Sequence, residues 1–197
     1  MSRFGRICIY CSSSDEIPPV YRAAATAMGQ KLVADGIGLV FGGGRVGLMG
    51  VLADAVLSGG GEVFGVIPEK LQDLELGHTG CTELHVVENM HTRKAKMMDL
   101  ADAFIAMPGG YGTMEEVFEA ATWGQLNYHR KPVGLLNVDG FFDPIVQWVD
   151  HAVAQGFVRP VHAELMAVAS TPAALLAKLE HASVPGLEDW MSPSSQE

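Results

Sequence analysis

Short apolar runs alternate with longer segments of helical periodicity along most of the chain. The runs are rich in β-prone residues, and in the longer segments apolar residues recur three or four positions apart. The runs predict strands at residues 7–10, 38–41, 62–67, 84–87, 103–107, 133–137 and 166–169. The periodic segments predict helices at residues 18–34, 46–57, 90–101, 113–126, 142–154 and 172–179.

Strands that alternate with helices are typical of a parallel sheet covered by helices on both faces. The run at residues 104–107 is continuously apolar, which favours a strand buried on both faces. We therefore predict an α/β fold, a Rossmann-like doubly wound parallel sheet, in a single domain at residues 1–182. Residues 183–197 collect Pro, Ser, Gly and acidic residues and are expected to form a mobile tail. The irregular stretch 71–82 is a candidate lid.

Composition narrows the function classes. The chain has 197 residues, 48% of them apolar, which suits one domain with a sizeable core. Its net charge of −10 and the lack of a basic stripe argue against nucleic acid as a partner. Since neither an export signal nor a run of eighteen apolar residues is found, we expect no membrane association and a cytoplasmic location.

The cysteines and histidines offer little chemistry of their own. Cys8 and Cys11 form a C-x-x-C pair, but they lie along a predicted strand, whereas a redox pair needs a helix N-terminus. Packing is therefore the favoured interpretation. The histidines show no metal-binding spacing, so no metal site is expected.

A first glycine-rich loop follows the strand at 38–41 and opens a helix. Such loops let a backbone approach an anion at the helix N-terminus, which makes Gly43, Gly44 and Gly47 a candidate phosphate loop. The spacing G-x-G-x-x-G from Gly42 also matches a dinucleotide fingerprint, although weakly. A structural alternative is that these glycines serve a tight turn and close helix packing.

A second glycine-rich loop follows the strand at 103–107 and brings acidic residues with it. Glu115 and Glu116 stand just beyond Pro108-Gly109-Gly110, and two carboxylates beside an anion site suggest that one is kept for chemistry. In the alternative interpretation, Thr113-x-x-Glu116 is a capping box, in which Glu116 binds only the backbone of Thr113.

Cations open the helix predicted at 90–101. One helical face carries Met90, Arg93, Met97 and Leu100. Arg93 is therefore expected on the packed stripe, where it needs an anionic partner. Lys94 and Lys96 can instead be ordinary solvated surface, above all Lys96.

Together these segments resemble the Lonely Guy (LOG) family of cytokinin riboside 5'-monophosphate phosphoribohydrolases. The resemblance runs from Ile7 to about Val158 and rests on P-G-G-Y-G-T-M-E-E from Pro108, M-H-T-R-K from Met90 and the glycines after Phe41. It implies a homodimer and catalytic roles for Arg93 and Glu116. The substrate-binding residues that it implies are Glu75, Arg93, Lys94, Gly110, Tyr111, Gly112, Thr113, Met114, Glu115, Glu116 and Thr122.

The predicted activity is hydrolysis of the N-glycosidic bond of a nucleoside 5'-monophosphate, without a cofactor. Cleavage builds positive charge on the ribose, which Glu116 would stabilise while Arg93 orients the carboxylate or the departing base. Family members are often called lysine decarboxylases, but that chemistry needs a pyridoxal phosphate on a lysine, for which no residue argues. The alternatives are an AMP nucleosidase-type enzyme, a non-catalytic nucleotide or cofactor carrier and, on the Gly42 fingerprint alone, a dinucleotide-dependent dehydrogenase.

Overall fold

Parallel strands form one sheet in the computed structural model, which describes residues 2–74 and 76–185. The strands are β1 (Arg6–Tyr10), β2 (Gly38–Phe41), β3 (Val63–Pro68), β4 (Glu83–Val87), β5 (Ala103–Ala106), β6 (Val133–Leu136) and β7 (Met166–Ala169). Their order across the sheet is β4-β3-β2-β1-β5-β6-β7, and every neighbouring pair is parallel. All the predicted strands are therefore confirmed, with ends that differ by one residue at most.

Helices connect the strands. They are α1 (Pro19–Asp35), α2 (Gly47–Ser58), α3 (Glu69–Gln72), α4 (Met90–Leu100), α5 (Tyr111–Gln125), α6 (Asp143–Ala154), α7 (Pro160–Ala163) and α8 (Pro172–His181), with a 3-10 turn at Val138–Gly140. The predicted helices are confirmed, whereas α3 and α7 were not predicted. Each of these two helices has four residues, too few to show a helical period.

The helices cover both faces of the sheet. Alternate residues of β1 point to opposite faces: Ile7 and Ile9 join the core under α1, α2 and α8, and Cys8 and Tyr10 join the core under α4, α5 and α6. Both cores consist mainly of buried apolar side chains, and the residues of β1, β2 and β5 that belong to them are almost all inaccessible to solvent, so these central strands have no solvated face. The prediction of a doubly wound parallel sheet is thus confirmed.

The two cysteines of the C-x-x-C pair are free thiols buried in these cores, as the packing interpretation requires. Burial raises the pKa of both thiols far above the ordinary value for cysteine. They are therefore protonated and poorly reactive in the folded protein.

The strand order reverses at β1. From β1 the chain moves outward to β4, and it then returns to place β5 on the other side of β1. At such a switch point the loops after the two central strands diverge and leave a crevice at the carboxyl edge of the sheet.

Of the described helices, none has both the length and the apolar character that a membrane span needs. The predicted tail lies largely beyond the described residues.

Candidate functional site

A cavity of about 450 Å³ opens at this switch point. The loops that follow β1, β2 and β5 contribute to its wall, together with α4 and the first turns of α5. Its lining combines apolar side chains with the charged residues Arg93, Glu115 and Glu116. The cavity therefore joins an apolar surface to a charged cluster, as ligand sites commonly do.

The N-terminus of α5 forms part of this wall. The helix begins at Tyr111 after Gly110, no side chain caps it, and its first turn contains no acidic residue. The first amides of an α-helix have no partner within the helix, and they carry a partial positive charge. A Cβ atom added at Gly110 or Gly112 would meet nothing within 4 Å, so the space beside both glycines is open. The geometry suits a bound phosphate.

The capping-box interpretation of Glu116 is wrong. Because the helix begins at Tyr111 and not at Thr113, Thr113 already lies in the first turn and Glu116 belongs to the next one. The carboxylate of Glu116 instead accepts a hydrogen bond from Arg93 Nη1 at 3.0 Å. Thr113-x-x-Glu116 has the sequence pattern of a capping box, but the helix begins earlier, directly after Gly110.

Arg93 and Glu116 form a buried ion pair. Their residues are only 9% and 8% exposed, and Arg93 also donates from Nε to the Val66 carbonyl at 3.1 Å and from Nη2 to the Gly42 carbonyl at 3.3 Å. Burial raises the pKa of Glu116 above its ordinary value of 4.5, and the Arg93 charge opposes this rise. Arg93 therefore stabilises and orients a carboxylate that faces the cavity, and its predicted place on the packed stripe is confirmed.

Lys94, the next residue, also forms ion pairs with carboxylates. Its Nζ donates to both Glu115 and Glu119, and its side chain is only 13% exposed, so the solvated-surface interpretation is wrong for Lys94. Burial acts to lower the pKa of Lys94, but these hydrogen bonds raise it above 10.5. The ammonium therefore stays charged and acts as a fixed cation, not as a proton donor.

Glu119 belongs to the same cluster, although it is not among the predicted site residues. It follows Glu115 by one helical turn, so both carboxylates lie on the same side of α5 and Lys94 can bind them together. This i, i+4 spacing was a signal that could have found it. Three carboxylates and two cations then leave the cluster with one net negative charge, which favours a developing cation nearby.

The first glycine-rich loop leads into a helix whose first amides already have partners. The amide of Gly47 donates to Asp15 Oδ1 at 3.0 Å, and the amide of Leu48 donates to the Ser12 carbonyl at 2.9 Å. These amides open α2, so its N-terminus is already occupied by the loop after β1. These hydrogen bonds favour the alternative of a tight turn and close packing for this loop, and the candidate phosphate loop stays a prediction.

Only one of the three glycines in that prediction lines the cavity. Gly43, with a φ of +73°, packs against Ile67 and Leu84, so it serves a tight turn. Gly44 borders the cavity and forms an antiparallel bridge with Gly77. The structural alternative, a tight turn and close packing, describes this loop better.

The loop after β1 was also missed. Ser12, Ser13 and Ser14 line the cavity at the switch point, and the Ser12 amide donates to the Pro108 carbonyl at 3.2 Å. This bond joins the loops after β1 and β5. A run of small hydroxyl residues directly after the first strand was the available signal.

The segment 71–82 covers one side of the cavity. Leu71 and Leu76 face the cavity, and the Leu76 carbonyl accepts a hydrogen bond from the Arg45 amide at 2.9 Å. His78 ties the segment down further, since its amide donates to the Gly43 carbonyl and its ring contacts Asp54. Lid motion remains a prediction, and Glu75 lies outside the described residues.

Some predicted substrate residues do not reach the cavity in this chain. Met114 packs against the core, and Thr122 lies exposed on α5; neither lines the cavity. Tyr111, in contrast, is 98% exposed at the cavity mouth. The remaining residues of the second motif that line the cavity are Gly110, Gly112, Thr113, Glu115 and Glu116.

Known proteins resemble this chain in sequence and in fold. A family model described as "possible lysine decarboxylase" matches residues 49–179. The cytokinin riboside 5'-monophosphate phosphoribohydrolase LOG of Oryza sativa subsp. japonica is 50% identical over 179 residues, which cover 91% of this chain and 74% of the relative. The phosphoribohydrolase LOG7 of Arabidopsis thaliana is 49% identical over 179 residues, covering 91% of this chain and 82% of the relative.

Solved structures share the fold at lower identity. The molybdenum cofactor carrier protein of Chlamydomonas reinhardtii has a TM-score of 0.66 at 20% identity, covering 87% of this chain and 92% of that one. The molybdenum cofactor binding protein of Rippkaea orientalis has a TM-score of 0.65 at 23% identity, with the same coverage. At these identities the likeness shows the Rossmann-like fold alone.

Proposed function

This chain belongs to the Lonely Guy family of phosphoribohydrolases, and we propose that it hydrolyses the N-glycosidic bond of cytokinin riboside 5'-monophosphates. The products are the free cytokinin base and ribose 5-phosphate. Relatives that carry this activity in their names are about half identical to it over most of its length. In the structure, a buried carboxylate beside an uncapped helix N-terminus supports the activity most directly.

Each part of the substrate then has a place. The 5'-phosphate lies on the amides that open α5, in the open space beside Gly110 and Gly112. The ribose lies next to Glu116, which is five residues further along the same helix than Tyr111. The phosphate thus anchors the sugar, and its binding energy positions the reacting carbon.

Glu116 acts on the developing charge. As the bond between the sugar carbon and the base nitrogen breaks, positive charge builds on the ribose, and the carboxylate stabilises it or takes a proton from the attacking water. Water adds its oxygen to the sugar carbon, and the base leaves with a proton. Arg93 holds the carboxylate at 3.0 Å, and its charge favours the ionised form against the effect of burial.

The base contacts the apolar residues of the cavity wall. Met49, Ile67, Leu71, Leu76 and Met90 provide this surface. A purine with an apolar N6 substituent gains from such a wall by removing its own apolar surface from water. The proposed reaction uses water alone and needs no metal or organic cofactor.

Lysine decarboxylation fits the site poorly. Pyridoxal phosphate chemistry requires a lysine that forms a Schiff base in the cavity. Among the described residues that line the cavity there is no lysine, and Lys94, behind it, is bound to Glu115 and Glu119. The residues present therefore do not fit that cofactor.

We also propose a homodimer, as family resemblance implies, and a cytoplasmic location. Trp148 on α6 is 53% exposed and contacts Phe118 of α5, so an apolar patch is present on the outer surface of the helical layer. Burial of such a patch against a second copy would stabilise a dimer. Light scattering coupled to gel filtration measures this state directly.

A product assay over a small substrate panel tests the activity. The panel contains AMP, N6-isopentenyl-AMP and the two corresponding nucleosides, and free base and ribose 5-phosphate are quantified by chromatography. Release of both products with preference for the prenylated nucleotide is expected. Preference for AMP would indicate an AMP nucleosidase-type enzyme, and tight binding without products would indicate a carrier.

A further inference from the structure

Gly42 lies directly against the guanidinium of Arg93. Its carbonyl accepts a hydrogen bond from Arg93 Nη2 at 3.3 Å. A Cβ atom built on Gly42 would stand 1.9 Å from Nη2 and 3.1 Å from Cζ. The guanidinium therefore occupies the volume that any side chain at this position would need.

Backbone conformation does not explain this glycine. Gly43 and Gly47 have φ angles of +73° and +62°, whereas the φ of Gly42 lies outside the positive range in which glycine is favoured. The remaining close neighbour of a Cβ would be Met49 Sδ at 3.2 Å, near the end of a flexible side chain that can move. Arg93 alone therefore requires a glycine here.

Arg93 cannot move aside at low cost. It is buried, its Nε is bound to the Val66 carbonyl and its Nη1 is bound to Glu116. A shift that relieved contact with a new side chain would break these bonds and leave a buried charge without its partner, which is strongly unfavourable. The position of Arg93 thus depends on an empty volume as well as on its hydrogen bonds.

We propose that Gly42 is a positioning residue of the proposed hydrolase: its missing side chain and its carbonyl together hold Arg93 against the Glu116 carboxylate. Gly42 does not touch the reacting atoms, so it acts through Arg93. The inference rests on the proposed function for its effect on rate, but its effect on Glu116 is independent of any substrate.

Gly42→Ala tests the inference. We expect kcat to fall roughly tenfold or more with a small change in KM, because the reacting carboxylate loses its orientation while the phosphate site stays intact. The acidic limb of the kcat–pH profile should move to higher pH, because the Arg93 charge that lowers the Glu116 pKa is displaced. A wild-type kcat and pH profile in a folded Gly42→Ala variant would overturn the proposal.

Gly134→Ala provides a matched control. Gly134 lies in β6, and its added Cβ would meet Leu175 Cδ1 at 2.9 Å, a contact far from Arg93. This variant should lose some thermal stability and keep the wild-type pH profile. An equal shift of the pH profile in the control would show a general effect of destabilisation and would contradict a specific role for Gly42.

A double-mutant cycle tests the contact even if Gly42→Ala destabilises the fold. With Arg93 truncated in Arg93→Ala, the volume beside Gly42 is free, so adding Gly42→Ala should change melting temperature and activity far less than it does in the wild type. Additive losses would refute the contact. The Glu116 pKa, followed by carboxyl carbon NMR in wild type and Gly42→Ala, should rise in the variant. This measurement decides the role of Gly42 even if the wild type hydrolyses no nucleotide.

Discussion

Glu116 is subject to two opposing influences at the scale of the single residue. Its burial raises the pKa of the carboxyl group, and the Arg93 guanidinium at 3.0 Å lowers it. Such a balance is typical of groups that must be ionised at neutral pH and still reactive in a dry site. Glu115 is exposed and bound to Lys94, so it is a weaker candidate for the same chemistry.

Glu116→Gln should abolish most activity without unfolding the protein. Glutamine keeps the size and can still accept a hydrogen bond from Arg93, but it can neither stabilise a sugar cation nor take a proton. The rate should therefore fall roughly a hundredfold or more. Single-turnover hydrolysis, together with nucleotide binding by calorimetry, measures the effect. If a folded variant retained more than about a tenth of the wild-type rate, Glu116 would have no catalytic role.

Arg93→Ala and Lys96→Ala should separate a specific effect from general charge. Arg93 lines the cavity and binds Glu116, whereas Lys96, three residues further along α4, does not line it. We expect Arg93→Ala to lose most of kcat/KM and Lys96→Ala to stay near wild type. Comparable losses in the two variants, in steady-state assays at matched ionic strength, would leave Arg93 without an assigned role.

At the scale of elements, α2 and α5 both follow glycine-rich loops, but their N-termini differ in whether the first amides are free to bind a ligand. The amides that open α2 are bound to Ser12 and Asp15, whereas α5 begins with no side-chain cap and with open space at Gly110 and Gly112. Only unoccupied donors can bind an anion strongly. The phosphate site of this protein is therefore predicted at α5.

Removal of the 5'-phosphate from the substrate should nearly stop turnover. Each charge-assisted hydrogen bond to the phosphate contributes roughly 1.5–3 kcal/mol, so the loss of several should lower kcat/KM by orders of magnitude. Rates for N6-isopentenyl-AMP and its nucleoside, measured side by side, check this. Similar rates for the two substrates would exclude phosphate anchoring.

Gly112→Asp provides an element-scale test within the protein itself. The new carboxylate would lie in the first turn of α5, where it stabilises the helix dipole but repels a phosphate. We expect an unchanged or higher melting temperature and a KM for the nucleotide that rises roughly tenfold or more. Gly112→Asn, of similar size without the charge, is the control and should raise KM much less.

The strand order of the whole molecule brings the site together. Gly42 and Arg93 are 51 positions apart in the chain, and Arg93 and Glu116 are 23 apart, yet β1, β2 and β5 end side by side at the same edge. The two apolar cores on either side of the sheet fix these strand ends.

The burial of Glu116 should make the global stability of the protein depend on pH. Because the pKa of Glu116 is higher in the folded state than its ordinary value of 4.5, the native state binds the proton more tightly than the unfolded state does. The stabilising contribution is full below pH 4.5 and is lost as the pH rises through the folded-state pKa. Glu116→Gln removes it, so the stability of the variant relative to wild type should increase as the pH rises from about 4 through the folded-state pKa of Glu116.

Urea unfolding of both proteins at several pH values measures this difference. All other titrating groups are shared by the two proteins, so their contributions largely cancel in the comparison. A difference in free energy of unfolding that stays constant across this range would mean that Glu116 has the same pKa in the folded and unfolded states.

Local sequence patterns were sufficient to predict the helices, the strands and the fold class. Apolar runs and helical periodicity are properties of single segments, so the strands and long helices could be predicted from the sequence to within a few residues. The motif around Pro108 likewise indicated an anion site beside carboxylates. In contrast, α3 and α7 have four residues each, too few to show a helical period.

Contacts between residues that are distant in sequence determined the features that local patterns did not predict. Thr113-x-x-Glu116 matched a capping box, but Gly110 starts the helix earlier and Arg93, from α4, takes the carboxylate. The loop at Gly47 looked as suitable for phosphate as the one at Gly112, yet Asp15 occupies its amide. Whether a donor is free depends on residues that are distant in sequence, and only the packing of the folded chain determines which of them it meets.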